Sequence, residues 1–391
     1  MDPRANPYAP GAGTKPPALT GRDDEIEAFV VLLERLRQGA AGQSMIVKGL
    51  RGVGKTVLLN TFEDFAVERD WIPIFKECEA STSLPGLVAR HCRRIIEDLK
   101  PTARATKRLR SMVARLSTFT VVDPNGFELR FDLGRGEAAP DPLSDDFVDL
   151  LLEIGALAGE RGRGLVFLLD EVQFIHPNEF GPFVVGLHRI NQKGLPVTCV
   201  AAGLPSLPAL AGEAKSYAER LFSYPTIGRL PREAADEALA RPAWVREVRF
   251  AKGALDLAYE RTLGYPYFIQ EYGKYAWNVA DGTRIERREM ERAAELAQHA
   301  LDDGFFLVRA ERATDAERRV MHAMASLGEP PYATRDVVHA LGRRSASQLS
   351  VQRESLIRKG LVYSPRTGFL DFTVPMFADY LLRRFGSSQG I

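Results

Sequence analysis

Apolar and polar positions along the chain follow two rhythms. Five short runs are almost continuously apolar: Ser44–Lys48, Trp71–Lys76, Leu165–Leu169, Pro196–Gly203 and Tyr224–Ile227. Runs of this length read as strands covered on both faces, the pattern of a parallel sheet between helical layers. Between them the apolar residues recur at helical spacing, first at Ile26, Phe29, Val30, Leu33 and Leu36. The second such stretch, from Ser83 to Lys100, carries Leu84, Leu87, Val88, Cys92, Ile95 and Ile96. Asp145–Gly159 and Phe180–Gln192 continue the helical rhythm. Strands alternating with helices predict an α/β fold with a parallel five-stranded sheet.

The remaining chain divides around this core. Residues 1–16 are rich in Pro, Gly and Ala and are expected to be an extended, poorly ordered lead-in. Two alternating runs, Phe119–Val122 and Phe127–Phe131, flank Asp123-Pro124-Asn125-Gly126 and predict a hairpin inserted at about 117–133. Before it lies an amphipathic basic helix with Lys100, Arg104, Lys107, Arg108, Arg110 and Arg115. That stretch reads either as a solvated face or as a phosphate-backbone contact. The α/β segment spans 17–229, and residues 230–303 read as four helices forming a lid. Residues 304–391 read as three helices, two strands around Arg366-Thr367-Gly368 and a closing helix, a winged-helix pattern. Thr334 and Ser345 are expected to cap its second and third helices.

Gly49-Leu50-Arg51-Gly52-Val53-Gly54-Lys55-Thr56 changes the picture from fold to chemistry. It is a G-x-x-x-x-G-K-T loop between a strand and a helix. Its glycines let backbone N–H groups approach phosphate oxygens, and the helix read over Val53–Phe65 turns its positive end toward them. Lys55 is expected to reach the β- and γ-phosphates of ATP, and the Thr56 hydroxyl to bind Mg²⁺. The strand Leu165–Leu169 ends in Asp170-Glu171, at the sheet edge where ligands bind in open parallel sheets. Asp170 is the second candidate for Mg²⁺, and Glu171 is placed to polarise the attacking water. Gln173 reads as a residue that orients water or couples to a partner, or equally as the start of a surface helix.

Composition narrows the partners. The formal net charge is +1, so a DNA site must be a local patch. The third helix of the C-terminal segment and its wing supply one: Arg343, Arg344, Gln348, Gln352, Arg353, Arg358 and Arg366. An internal clamp is the rival reading of the same domain. The 3 cysteines are far apart, which suits buried free thiols in a reducing, cytoplasmic setting. No metal-binding cysteine spacing, signal-peptide pattern or membrane-length apolar run occurs.

The order of motifs resembles the AAA+ ATPases, and among them the origin-initiator-like and STAND-like branches. The resemblance covers 17–391 and rests on Leu19-x-Gly21-Arg22-x-x-Glu25, the P-loop and Asp170-Glu171. It implies that Gly21 and Arg22 lie near the base, and that Arg220 serves as an arginine finger reaching a neighbouring subunit. It also implies that Gly264-x-Pro266 is the G-x-P motif whose proline packs on adenine. Two places depart from the family pattern. The fourth strand ends in Ala201-Ala202-Gly203, where a polar sensor is usual, and the lid carries no second-sensor arginine at Gly264–Gln270. These departures imply a slow ATP/ADP switch, acting either on double-stranded DNA or, as a homo-oligomer or with a protein partner, in signalling.

Overall fold

The computed structural model describes residues 1–11, 13–116, 142–207 and 218–385. Five parallel strands form the central sheet: β1 (Ser44–Lys48), β2 (Trp71–Glu77), β3 (Gly164–Asp170), β4 (Val197–Gly203) and β5 (Phe222–Ser223). Their spatial order is β2-β3-β4-β1-β5. The strands read as unbroken apolar runs because both faces are covered. Ile46, Phe167, Cys199 and Ala201 belong to one apolar layer, packed with α3 (Leu84–Leu99), α5 (Pro142–Glu160) and α6 (Pro177–Gln192). Met45, Val47, Val166, Leu168 and Val200 belong to the other layer, packed with α1 (Asp23–Arg37) and α2 (Lys55–Glu68). That second layer runs on without a break into the helices and small sheet of the C-terminal half.

β5 is shorter and earlier than the apolar run Tyr224–Ile227 suggested. It pairs at Phe222–Ser44 and Ser223–Met45, and beyond it only a single bridge joins Lys48 to Thr226. Pro225 has no N–H to give a ladder, so regular pairing stops beside it. The expected hairpin at 117–133 lies outside the described residues.

After β5 come the helices Arg232–Trp244, Lys252–Thr262, Pro266–Val279 and Arg287–Ala300. The last passes through a π-helical turn, Leu301–Phe306, into Leu307–Glu311. The C-terminal segment places helices Asp315–Ser326, Thr334–Ala340 and Ser350–Arg358 around a three-stranded sheet. The sheet consists of Tyr332–Ala333, Phe369–Phe372 and Val362–Tyr363, with Phe369–Phe372 in the middle. Thr334 does not cap the second helix as expected; it is buried inside the first turn and Ala333 holds the cap position. Ser345 leads into a 3-10 turn, Ala346–Leu349, so the α-helix proper starts five residues later.

The N-terminal residues differ most from expectation. Tyr8 is buried and donates its hydroxyl to the Leu239 carbonyl. The Trp277 indole donates to the Asp2 carbonyl at 2.9 Å, and Asn6 donates to the Lys274 carbonyl at 3.0 Å. One aromatic ring in a fitted slot anchors a segment whose composition alone reads as loose. The three cysteines are free and buried, as expected. No described helix is long and apolar enough to cross a membrane.

Candidate nucleotide site

The P-loop connects β1 to α2 at the C-terminal edge of the sheet. Gly52 and Gly54 hold φ of 83° and 94°, which only glycine adopts freely. Gly49 has no room for a side chain: a Cβ there would lie 2.4 Å from the Ile227 carbonyl oxygen. Lys55 is buried and donates to the carbonyls of Gly49 at 3.0 Å and Leu50 at 2.9 Å. Burial pushes its pKa down, while the charges of Glu171 and Asp170 oppose the shift. Val53 and Val57 continue the loop and the first helical turn along the cleft wall.

Asp170 ends β3 directly opposite. Its Oδ2 accepts from the Thr56 hydroxyl at 2.5 Å, and its Oδ1 from the Glu171 N–H at 2.8 Å. Burial pushes the Asp170 carboxyl up, against the lowering bond from Thr56. A buried carboxylate beside a hydroxyl gains most from a divalent cation, so the pair fits Mg²⁺. Among the described residues no group of three or more His, Cys, Asp or Glu side chains could hold a metal. Glu171 follows in a left-handed conformation, φ 52°.

Sheet, helical segment and C-terminal segment together enclose a cleft of about 760 Å³. Pro266, Tyr267 and Gln270 line it from the helix that starts at Pro266. The Gly264–Pro266 stretch meets the P-loop directly: the Tyr265 hydroxyl donates to the Arg51 carbonyl, and Tyr267 N–H to the Gly52 carbonyl at 3.3 Å. Gly264 itself packs on Leu230, whose N–H donates to its carbonyl at 2.7 Å. Ala9, Pro10 and Gly13 of the N-terminal segment close another side.

The structure redistributes several expected residues. Arg22 is buried near the cleft, but its guanidinium donates to the carbonyls of Gly21, Val53 and Gly228. It braces the loop; Gly21 packs beside it against Ala234. Arg220 is exposed just before β5, whose Phe222 pairs with the first residue of β1. It therefore stands at the sheet edge opposite its own P-loop. Arg358, read as a DNA contact, lines the nucleotide cleft together with Arg309, which the sequence reading did not single out. No local motif marks either arginine; only the fold brings them to the loop. Arg51 turns toward the C-terminal segment: its N–H donates to the Thr373 carbonyl at 3.0 Å, and its guanidinium packs on Gly360. Arg344 and Arg366 are exposed, whereas the Gln348 and Gln352 amide oxygens accept from the Arg344 N–H at 2.9 Å and the Arg343 guanidinium at 3.2 Å. Arg353 is partly buried, and its Nε has no partner among the described residues.

The AAA ATPase domain family matches residues 18–222, from the Gly21-Arg22 turn to β5. The chain belongs to that family. It is an AAA+ P-loop ATPase, an enzyme that hydrolyses ATP. A domain of unknown function, DUF8462, matches residues 303–381. No curated protein matches the chain. The solved structure of the Walker-type ATPase PABY2304 of Pyrococcus abyssi is similar with a TM-score of 0.54 at 14% identity, over 93% of this chain and 96% of that one. The Aeropyrum pernix ORC2 protein, solved as ADPNP-ADP complexes, is similar with a TM-score of 0.52 at 15% identity, over 97% and 98%. At such identities the likeness concerns the fold, and this AAA+ ATPase shares it along nearly its whole length.

Proposed function

We propose that this AAA+ ATPase is a nucleotide-dependent switch. ATP binds between the sheet domain, residues 17–229, and the helical lid, 230–303, and its state sets the docking of a winged-helix domain, 304–391. The observation that carries this reading is the seat of the C-terminal segment on the P-loop. Arg51 bonds to Thr373, and Arg358 enters the cleft beside Arg309. A phosphate arriving at Lys55 therefore meets cations from two parts of the chain. Thr56 and Asp170 would hold Mg²⁺, which supplies charge neutralisation at the phosphates. Glu171 takes the proton of the attacking water, and the P-loop amides and Lys55 hold the phosphates. Pro266 and Tyr267, which line the cleft, would flank the base. Arg220, turned away from its own cleft, suits a role across a subunit interface in a homo-oligomer.

Hydrogen exchange measured with no nucleotide, with ADP and with a non-hydrolysable ATP analogue tests the switch. Peptides from 350–375 are expected to change protection between the ADP and analogue states, and Lys55→Ala to abolish the difference together with nucleotide binding. Unchanged protection in a protein that binds both nucleotides would exclude the switch. Binding of double-stranded DNA is a second reading, supported by the exposed Arg344 and Arg366. The engagement of Gln348, Gln352 and Arg358 within the chain favours the clamp over base readout.

A further inference from the structure

We propose that Gln173 positions Glu171 for water activation, in place of the polar side chain that β4 does not provide. β4 ends in Ala201-Ala202-Gly203, all buried and none with a polar side chain. Gln173 lies on the one-turn 3-10 helix Val172–Phe174 that follows β3. Its amide nitrogen donates to Glu171 Oε2, and its amide oxygen accepts the Leu204 N–H at 3.3 Å. One amide thus ties the Glu171 carboxylate to the end of the neighbouring strand.

Two further features belong to the same contact. Gly203 leaves the space the amide occupies: a Cβ there would lie 2.3 Å from Gln173 Oε1. The Gly203 carbonyl in turn accepts the N–H of Gly49, the first P-loop residue, at 3.0 Å. The path from Glu171 through Gln173 to the β4 end therefore arrives beside the loop that holds the phosphates. Glu171 itself holds a left-handed backbone, φ 52°, which residues other than glycine seldom adopt.

In the reaction the water oxygen bonds to the γ-phosphorus and the bond from that phosphorus to the β–γ bridging oxygen breaks. ADP leaves with that electron pair, and the water proton passes to the Glu171 carboxylate. The Gln173 N–H holds one carboxylate oxygen and leaves the other facing the water. Gln173 touches neither water nor phosphate in this scheme, so it is a positioning residue. The proposal rests on Glu171 being the base.

Steady-state hydrolysis by the full chain tests it with Gln173→Met, which keeps length and removes both amide groups. Turnover is expected to fall roughly ten- to hundredfold, less than the roughly 10²–10⁴-fold contributed by a positioned base itself. KM for ATP and the affinity for ADP should stay within about twofold, a split that general destabilisation does not produce. Gly203→Ala, which displaces the amide while leaving Gln173 in the chain, should reproduce the loss if Gln173→Met folds poorly. In a Glu171→Gln background, Gln173→Met should cost nothing further. Wild-type turnover in Gln173→Met, or a full additional loss in that background, overturns the positioning role. Wild-type turnover in Glu171→Gln alone overturns the base assignment beneath it.

Discussion

Glu317 is buried in the first turn of the helix Asp315–Ser326, where its carboxylate accepts from the Thr314 N–H at 2.7 Å and from Lys359 Nζ at 2.6 Å. Burial alone would raise this carboxyl; the bonds from Lys359, Ser355 and Thr314 overcome it and hold it at about 2. A folded value below the ordinary 4.5 means the pair stabilises fully above that pH and is lost as pH falls toward about 2. Glu317→Ala strips a buried charge pair of one partner, so the C-terminal segment should lose about 3 kcal/mol at neutral pH. Urea titrations between pH 7 and pH 3 check it. The gap between variant and wild type should narrow below pH 4.5, and a gap indifferent to pH would remove the ion pair as its cause. Thr314-x-x-Glu317 is a capping spacing visible in the chain, whereas Lys359 is 42 residues away and only the fold makes it the partner. Lys55, Thr56, Asp170 and Glu171 belong to the first kind of residue, and Arg309 and Arg358 to the second. The Walker residues are recognisable because phosphate geometry dictates local spacing. A cation supplied from another segment obeys no spacing at all.

Among the elements, the strands were legible wherever both faces are apolar, and β5 was displaced where Pro225 interrupts the ladder. The N-terminal segment shows the opposite limit. Its composition suggests disorder, yet Tyr8 fills a slot that Gly273 leaves open, since a Cβ there would lie 2.6 Å from the ring. Asn60 donates to the Gly13 carbonyl at 3.3 Å, and Ala9 and Pro10 line the cleft. The segment thus forms part of the cleft wall. Removing residues 1–14, or replacing Tyr8 with Ala, is expected to speed ADP release roughly tenfold, the equivalent of about 1.4 kcal/mol. A stopped-flow chase of fluorescent ADP reads that rate directly. An unchanged rate would mean that the segment packs against the helices without guarding the cleft.

At the scale of the whole molecule, the near-neutral charge of +1 makes any attraction to DNA a matter of placement. Arg344 and Arg366 are exposed, and the half-buried Arg343 precedes Arg344 in the chain, so these three are the cations to test for phosphate contacts. Arg343→Ala with Arg344→Ala should lower the slope of log affinity against log salt by about 0.9 per lost contact and weaken all duplex sequences alike. Fluorescence anisotropy at several salt concentrations measures the slope. Absence of binding at low salt in every nucleotide state would leave the C-terminal segment as the clamp alone. The sequence by itself determined the α/β class, the P-loop and the carboxylate pair. Each of these depends on neighbours within a few residues, through hydrophobic period, glycine conformation and strand ends. The tertiary structure decided that Arg358 lines the cleft, that Arg220 stands at the opposite edge of the sheet, and that Gln173 reaches the end of β4. It also decided that the first residues close the cleft. Those outcomes depend on which distant surfaces bury each other, and apolar burial, being non-directional, leaves no local spacing from which such partners can be read.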